Sequence, residues 1–151
     1  MLINTGVQAL ALIARFHRVP VNPEQLVHEY GVPGENFSDT EILRAARAIG
    51  FRAKSLKPRI QALSNKILPA IGKSVDGSYF VLVQSTPAEE NAQNEVDKDQ
   101  IKSKWLIQRL DEQAPVLLSR ENFLEFWSGE LIVLTRRESL SERLQKNFDI
   151  S

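Results

Sequence analysis

Gly50-Phe51-Arg52-Ala53-Lys54-Ser55-Leu56 is the stretch where the hydrophobic pattern changes period. Before it the apolar residues recur at helical spacing; from Phe51 onward they alternate with polar ones, which predicts a strand leading into a short helical turn around Ile60 to Asn65. Working backward, Leu10, Ile13, Ala14 and Phe16, with Val7 a turn earlier, predict a largely buried helix over Thr5 to His17. Asn22-Pro23-Glu24-Gln25 supplies an N-cap residue, a proline at the first helical position and a glutamine at the third, so a second helix should start there and stop at Gly31. Ser38-Asp39-Thr40-Glu41 is a capping box for a third helix, which turns Ile42, Leu43, Ala46 and Ile49 inward and ends at Gly50.

Working forward, Leu68 to Lys73 and Tyr79 to Gln84 flank Asp76-Gly77 and predict a hairpin. Ser85 to Lys104, rich in Glu, Asp, Asn and Gln, predicts a mobile loop longer than a compact domain normally carries, its acidic cluster a solvated face. Trp105 to Leu110 and Pro115 to Leu118 read as strands, Ser119 to Trp127 as a short helix capped by Ser119, and Glu130 to Thr135 as a buried strand. Helices first and antiparallel sheet second is the α+β order, with the helices packed to one side of the sheet. After Arg137 an amphipathic tail, Glu138 to Ile150, spaces Leu140 and Leu144 for a single helical stripe.

Composition narrows the function. The 151 residues are 42% hydrophobic and 25% charged, enough for one core that buries roughly two thirds of the unfolded surface. Lys+Arg and Asp+Glu both count 19, so no net field favours nucleic acid or anionic lipid. With no cysteine, disulfide frameworks, thiolate nucleophiles and Cys-based metal sites are excluded together. The apolar run from Val7 to Phe16 is interrupted by Gln8 and Arg15 and has no basic residue before it, so it is neither a signal peptide nor a membrane span. The expectation is a soluble chain.

Gly72-Lys73-Ser74 looks like the end of a phosphate-binding loop, but the first glycine of GxxxxGK[ST] would fall on Ile67 and a turn follows where a helix is needed. Asn36-Phe37-Ser38 is a chance sequon in the absence of a secretory signal. His17 and His28 fall on different helices at a spacing that makes no metal motif, so no metal site and no cofactor are expected. The second and third helices, with Arg44 and Arg47, suggest a helix-turn-helix as a minor alternative. Its turn, Gly31 to Phe37, is long, and Glu24, Glu29, Glu35, Asp39 and Glu41 balance the arginines.

Asn4-Thr5-Gly6-Val7-Gln8-Ala9-Leu10, followed by Ile13-Ala14-Arg15-Phe16-His17, resembles the start of the double-glycine leader peptidase domain. That papain-like domain begins many bacterial peptide-exporting ABC transporters. In its active members an Asp-Cys-Gly segment puts the nucleophile at the N-terminus of this helix, where the dipole and a histidine favour the thiolate. The resemblance puts Thr5 at the Cys position. Asp76-Gly77-Ser78-Tyr79-Phe80-Val81-Leu82 matches the context of the family's His, whose position is Tyr79, and the family's Asp falls on Gln108 or Arg109. The family's oxyanion glutamine would sit six residues before the Cys position, ahead of Met1.

With these positions empty or replaced, the resemblance implies a degenerate peptidase-like domain of the kind found in type I secretion ABC transporters that export RTX toxins and adhesins. Peptidase chemistry is then not expected: Thr5 has neither a general base nor a free amine beside it, and it suits a helix N-cap. Tyr79 has the bland reading of a half-buried strand aromatic. Residues 1–137 would form the domain and residues 138–151 the connecting segment ahead of a first membrane helix. The implied task of this piece is to bind the unfolded export substrate in the retained groove, with Tyr79, Phe80 and Trp105 as its binding aromatics. ATP hydrolysis would belong elsewhere in a full-length membrane homodimer, and the domain would lie at the cytoplasmic face of the inner membrane. The competing implication is a docking module that contacts the transporter's own nucleotide-binding domains through the acidic segment Glu89 to Asp99.

Overall fold

The computed structural model describes residues 4–86 and 104–137. Residues 87–103 of the expected mobile loop and the whole amphipathic tail, Glu138 to Ile150, therefore lie outside the described residues. The elements run α1 (Thr5–Phe16), α2 (Pro23–Tyr30), α3 (Asp39–Ala48), β1 (Phe51–Leu56), a 3-10 turn (Ile60–Ala62), β2 (Ala70–Ser74), β3 (Tyr79–Thr86), β4 (Lys104–Arg109), β5 (Val116–Leu118), α4 (Arg120–Phe126) and β6 (Trp127–Arg136). Helices α1–α3 precede all the strands, as the change of period at Gly50 predicts, and α4 sits between β5 and β6.

Each helix start follows its local chemistry. Asn22 Oδ1 accepts from the Glu24 amide 2.9 Å away and Pro23 opens α2. The Ser38–Glu41 capping box opens α3. Ser119 Oγ accepts from the Asn122 amide at the start of α4. The exception is α1. Its cap is Asn4, whose Oδ1 accepts from the Val7 amide, and not Thr5, which is already helical. Because Asn4 satisfies the helix end, the Thr5 hydroxyl is released for another contact.

The six strands form one antiparallel sheet in the order β1-β6-β2-β3-β4-β5. Alternation along β3 sends Tyr79 and Val81 to one face and Phe80 and Leu82 to the other. On the first face α1, α2 and α3 bury Leu10, Ile13, Ile42 and Phe51. On the second face Trp105, Phe123 and Trp127 stack in series, with ring centroids 5.2 and 5.3 Å apart, and Phe80 meets Phe123 edge-on. The helices therefore do not all share one side: α4 covers the face opposite α1–α3. The reason lies in Phe123 and the strand β6 that follows it directly. Strand β6 starts at Trp127 rather than Glu130, and Trp127 belongs to the second core.

Gly72 faces the Phe80 ring across the hairpin. A methyl group there would lie 2.3 Å from the Phe80 ring, so only a bare Cα lets that ring lie flat against β2. Among the described residues no helix is long and apolar enough to cross a membrane.

Candidate functional site

The N-terminus of α1 meets the start of β3 across the sheet. Thr5 Oγ1 accepts a hydrogen bond from the Tyr79 amide at 2.9 Å, joining residues 74 apart in sequence. Asn4 adds a second tie, its Oδ1 accepting from the Phe37 amide at 3.0 Å. Gly6 is required beside them, since a Cβ at that position would lie 2.9 Å from Phe37 Cβ. The first turn of α1 is thus clamped against both the β3 start and Phe37, just ahead of the α3 cap.

Tyr79 crosses beneath α3, and its hydroxyl donates to Asp39 Oδ1. Lys73 Nζ sits 3.8 Å from Asp39 and 3.8 Å from Glu130, and 5.8 Å from the centre of the Tyr79 ring. Burial, then the bond to Asp39, push the phenol well above the ordinary tyrosine range, so it stays neutral. At the hairpin, Asp76 accepts from the Ser74 hydroxyl, from the Ser78 hydroxyl at 2.6 Å and from the Ser78 amide at 2.9 Å. These bonds hold its carboxyl at about 2.

Between these elements lies a cleft of about 460 Å³, bordered by Thr5, Phe37, Asp76, Tyr79, Arg109 and Asp111. Of the two residues expected at the family's Asp position, Arg109 reaches this cleft and lies 4.9 Å from the Phe126 ring. Gln108 does not. It points to the α1 side of the sheet, where its amide donates to the carbonyls of Arg109 and Glu112, both at 2.8 Å.

The three aromatics expected to bind substrate are consumed by packing. Tyr79 is 6% exposed and Phe80 1%, so they form the floor of the cleft rather than a surface. Trp105, 4% exposed and stacked on Phe123, belongs to the second core and does not border the cleft. Sequence reasoning gave Asn4 and Asp39 no role at the site, because their bonds to Phe37 and Tyr79 cross the fold. The two histidines stand apart from the cleft. His28 is exposed on α2, and His17, at the far end of α1, packs edge-on against Phe16 and Phe51, with burial first and Arg136 second lowering its pKa.

A second concavity is lined almost entirely by apolar side chains. A groove of about 370 Å³ runs between α1 and the sheet, lined by Leu12, Phe16, Pro69, Val81, Val83 and Pro115, with Arg15 at its rim. Phe16 is 65% exposed. Leu12 and Phe16, one turn apart on the flank of the buried stripe, are the only trace of this groove in the sequence. Arg44 and Arg47, the arginines of the helix-turn-helix alternative, are exposed on α3, and Arg47 donates to the Ala53 carbonyl.

A profile described as the Peptidase C39 family matches residues 3–139. The chain belongs to the peptidase C39 family. It is similar to the leukotoxin translocation ATP-binding proteins LktB of a Pasteurella haemolytica-like species (strain 5943B) and of Mannheimia haemolytica, at 32% identity over 146 residues, which is 97% of this chain. The chain spans 19% of the length of these relatives. The C39 fold is borne out by two solved structures. One is the N-terminal peptidase C39 like domain of the toxin secretion ATP-binding protein from Vibrio parahaemolyticus, with a TM-score of 0.70 and 20% identity over 91% of this chain and 100% of that one. The other is the double glycine motif protease from the AMS/PCAT transporter in complex with the leader peptide, with a TM-score of 0.66 and 18% identity over 90% of this chain and 87% of that one. The expected α+β, papain-like architecture is therefore the architecture found. The chain is a C39 domain similar to those of toxin-secretion ABC transporters.

Proposed function

We propose that this chain is a non-catalytic C39 domain of a type I secretion ABC transporter, and that it binds the unfolded export substrate, an RTX-type toxin or adhesin, before translocation. One observation carries the reading: Thr5 and Tyr79 meet where the resemblance puts the nucleophile and its histidine. Acyl transfer of the papain kind needs a thiolate within reach of an imidazole. The sequence has no cysteine. Its histidines are on α2 and at the far end of α1, the latter roughly 18 Å from Thr5 at 1.5 Å per helical residue. Here the Thr5 hydroxyl instead supports the β3 backbone, and the Tyr79 hydroxyl is bound to Asp39.

The surface suited to an unfolded chain is the apolar groove along α1 rather than the more polar cleft beside Tyr79. An extended chain offers apolar side chains and backbone, and Leu12, Phe16 and Val83 offer apolar contact at the solvent edge. Modest affinity follows, because ordering a disordered partner costs free energy. We read residues 138–151 as the segment connecting this domain to the membrane part, with ATP hydrolysis elsewhere in a homodimer and this domain at the cytoplasmic face of the inner membrane.

The test is an NMR titration of the isotope-labelled chain with an RTX C-terminal segment from the same operon, calcium-free and unfolded in one arm, calcium-loaded and folded in the other. The expected result is shifts at Leu12, Phe16 and Val83 with the unfolded form alone, and a segment whose mass is unchanged after incubation. Shifts with neither form would overturn substrate binding in favour of a docking module, and a cleaved segment would overturn the non-catalytic reading.

A further inference from the structure

We infer that the α1 groove is built to take an apolar side chain flanked by a carboxylate, with Arg15 and Arg18 as the anion subsite beside the apolar floor. The inference rests on the substrate-binding reading above and names the chemistry of the segment recognised.

Arg15 borders two concavities at once. On one side is the apolar groove with Leu12 and Phe16; on the other is a hollow of about 460 Å³ that it shares with Arg18, Val19 and Val21. The end of α1 fixes this spacing. Arg18 adopts a left-handed backbone with φ 61°, its amide donates to the Arg15 carbonyl at 2.9 Å, and the Val19 amide reaches the Ala14 carbonyl at 2.8 Å. The two arginines thus leave the same helix end, one turn apart and both exposed. Neither is ion-paired among the described residues, and α1 carries no acidic residue.

An unpaired Arg15 at the lip of the apolar groove, with Arg18 in the adjoining hollow, complements a carboxylate one or two residues from an apolar anchor. The forked donors of arginine suit carboxylate oxygens better than a point charge does. A lysine-flanked segment meets like charge at the same place, so the pair both attracts one class of segment and rejects another.

Three fluorescent, unstructured peptides test this, sharing a Leu-Phe centre and flanked by Asp and Glu, by Asn and Gln, or by Lys. Fluorescence anisotropy reads their affinity for the intact chain. At low salt the acidic peptide is expected to bind about tenfold more tightly than the amide peptide, as for partly exposed charge-assisted contacts, and the ratio should fall toward one at high salt. In the double variant Arg15→Gln, Arg18→Gln the ratio should also fall to about one, whereas Arg44→Gln on α3 should leave it unchanged. Equal affinities for the acidic and amide peptides would overturn the inference and leave substrate binding standing. So would a ratio that survives the double substitution. No binding by any of the three would overturn the inference together with the reading it rests on.

Discussion

Thr5 illustrates how a position that resembles a nucleophile's can be kept for structure. Its hydroxyl accepts from the Tyr79 amide and so ties the first turn of α1 to the first residue of β3. Replacing it with valine keeps the shape and the β-branch but removes the acceptor, leaving a largely enclosed N–H without a partner. Thr5→Val is expected to destabilise the fold by about 1–3 kcal/mol, the desolvation cost of an unmade bond. Thr5→Ser keeps the oxygen and should stay within about 1 kcal/mol of the parent, the loss of one methyl group. Urea denaturation of the three proteins checks both. A Val variant as stable as the parent would mean that the bond contributes nothing and that Thr5 is tolerated rather than needed.

At the scale of elements, β2 and β3 are held together by shape. Gly72 pairs with Phe80 across the hairpin, and the Phe80 ring fills the space that a side chain at residue 72 would take. Gly72→Ala is expected to cost about 1–3 kcal/mol through overpacking. Pairing it with Phe80→Leu should cost less than the two single changes added, because the smaller side chain makes room for the methyl. Additive costs in a double-mutant cycle would show that the ring is not what confines residue 72. The hairpin itself was readable from Asp76-Gly77, where Gly77 has φ 89° and Asp76 gathers the Ser74 and Ser78 hydroxyls. The Gly72–Phe80 fit was not readable, since periodicity says which face a residue takes and not which ring lies against it.

In the whole molecule one sheet separates two cores. Helices α1–α3 cover one face, while both tryptophans, Trp105 and Trp127, lie on the other with Phe123. The two cores share every central strand, so neither can be lost without exposing the other side of the same sheet. Far-UV circular dichroism follows mainly the helices on the first face, and tryptophan fluorescence follows only the second. The two are expected to give coincident denaturation curves, as one cooperative unit requires. A fluorescence transition that precedes the helical one would mean that α4 and its core open on their own.

The order of elements, the capping of α2, α3 and α4, the hairpin and the α+β class all follow from the sequence alone. They rest on interactions within a few residues, such as Asn22 with Glu24 and Ser38 with Glu41. The candidate site was legible through family resemblance as separate positions, Thr5, Tyr79, Phe80 and one of Gln108 and Arg109. That Thr5 and Tyr79 touch, that Asp39 holds the tyrosine, and that Trp105 turns away into a second core were decided by the tertiary structure. So was the groove at Phe16, which exists only because β3 and the Pro115 turn rise beside the flank of α1. Local periodicity measures which way a side chain faces. What it meets there depends on chain segments tens of residues away, and only packing brings those together.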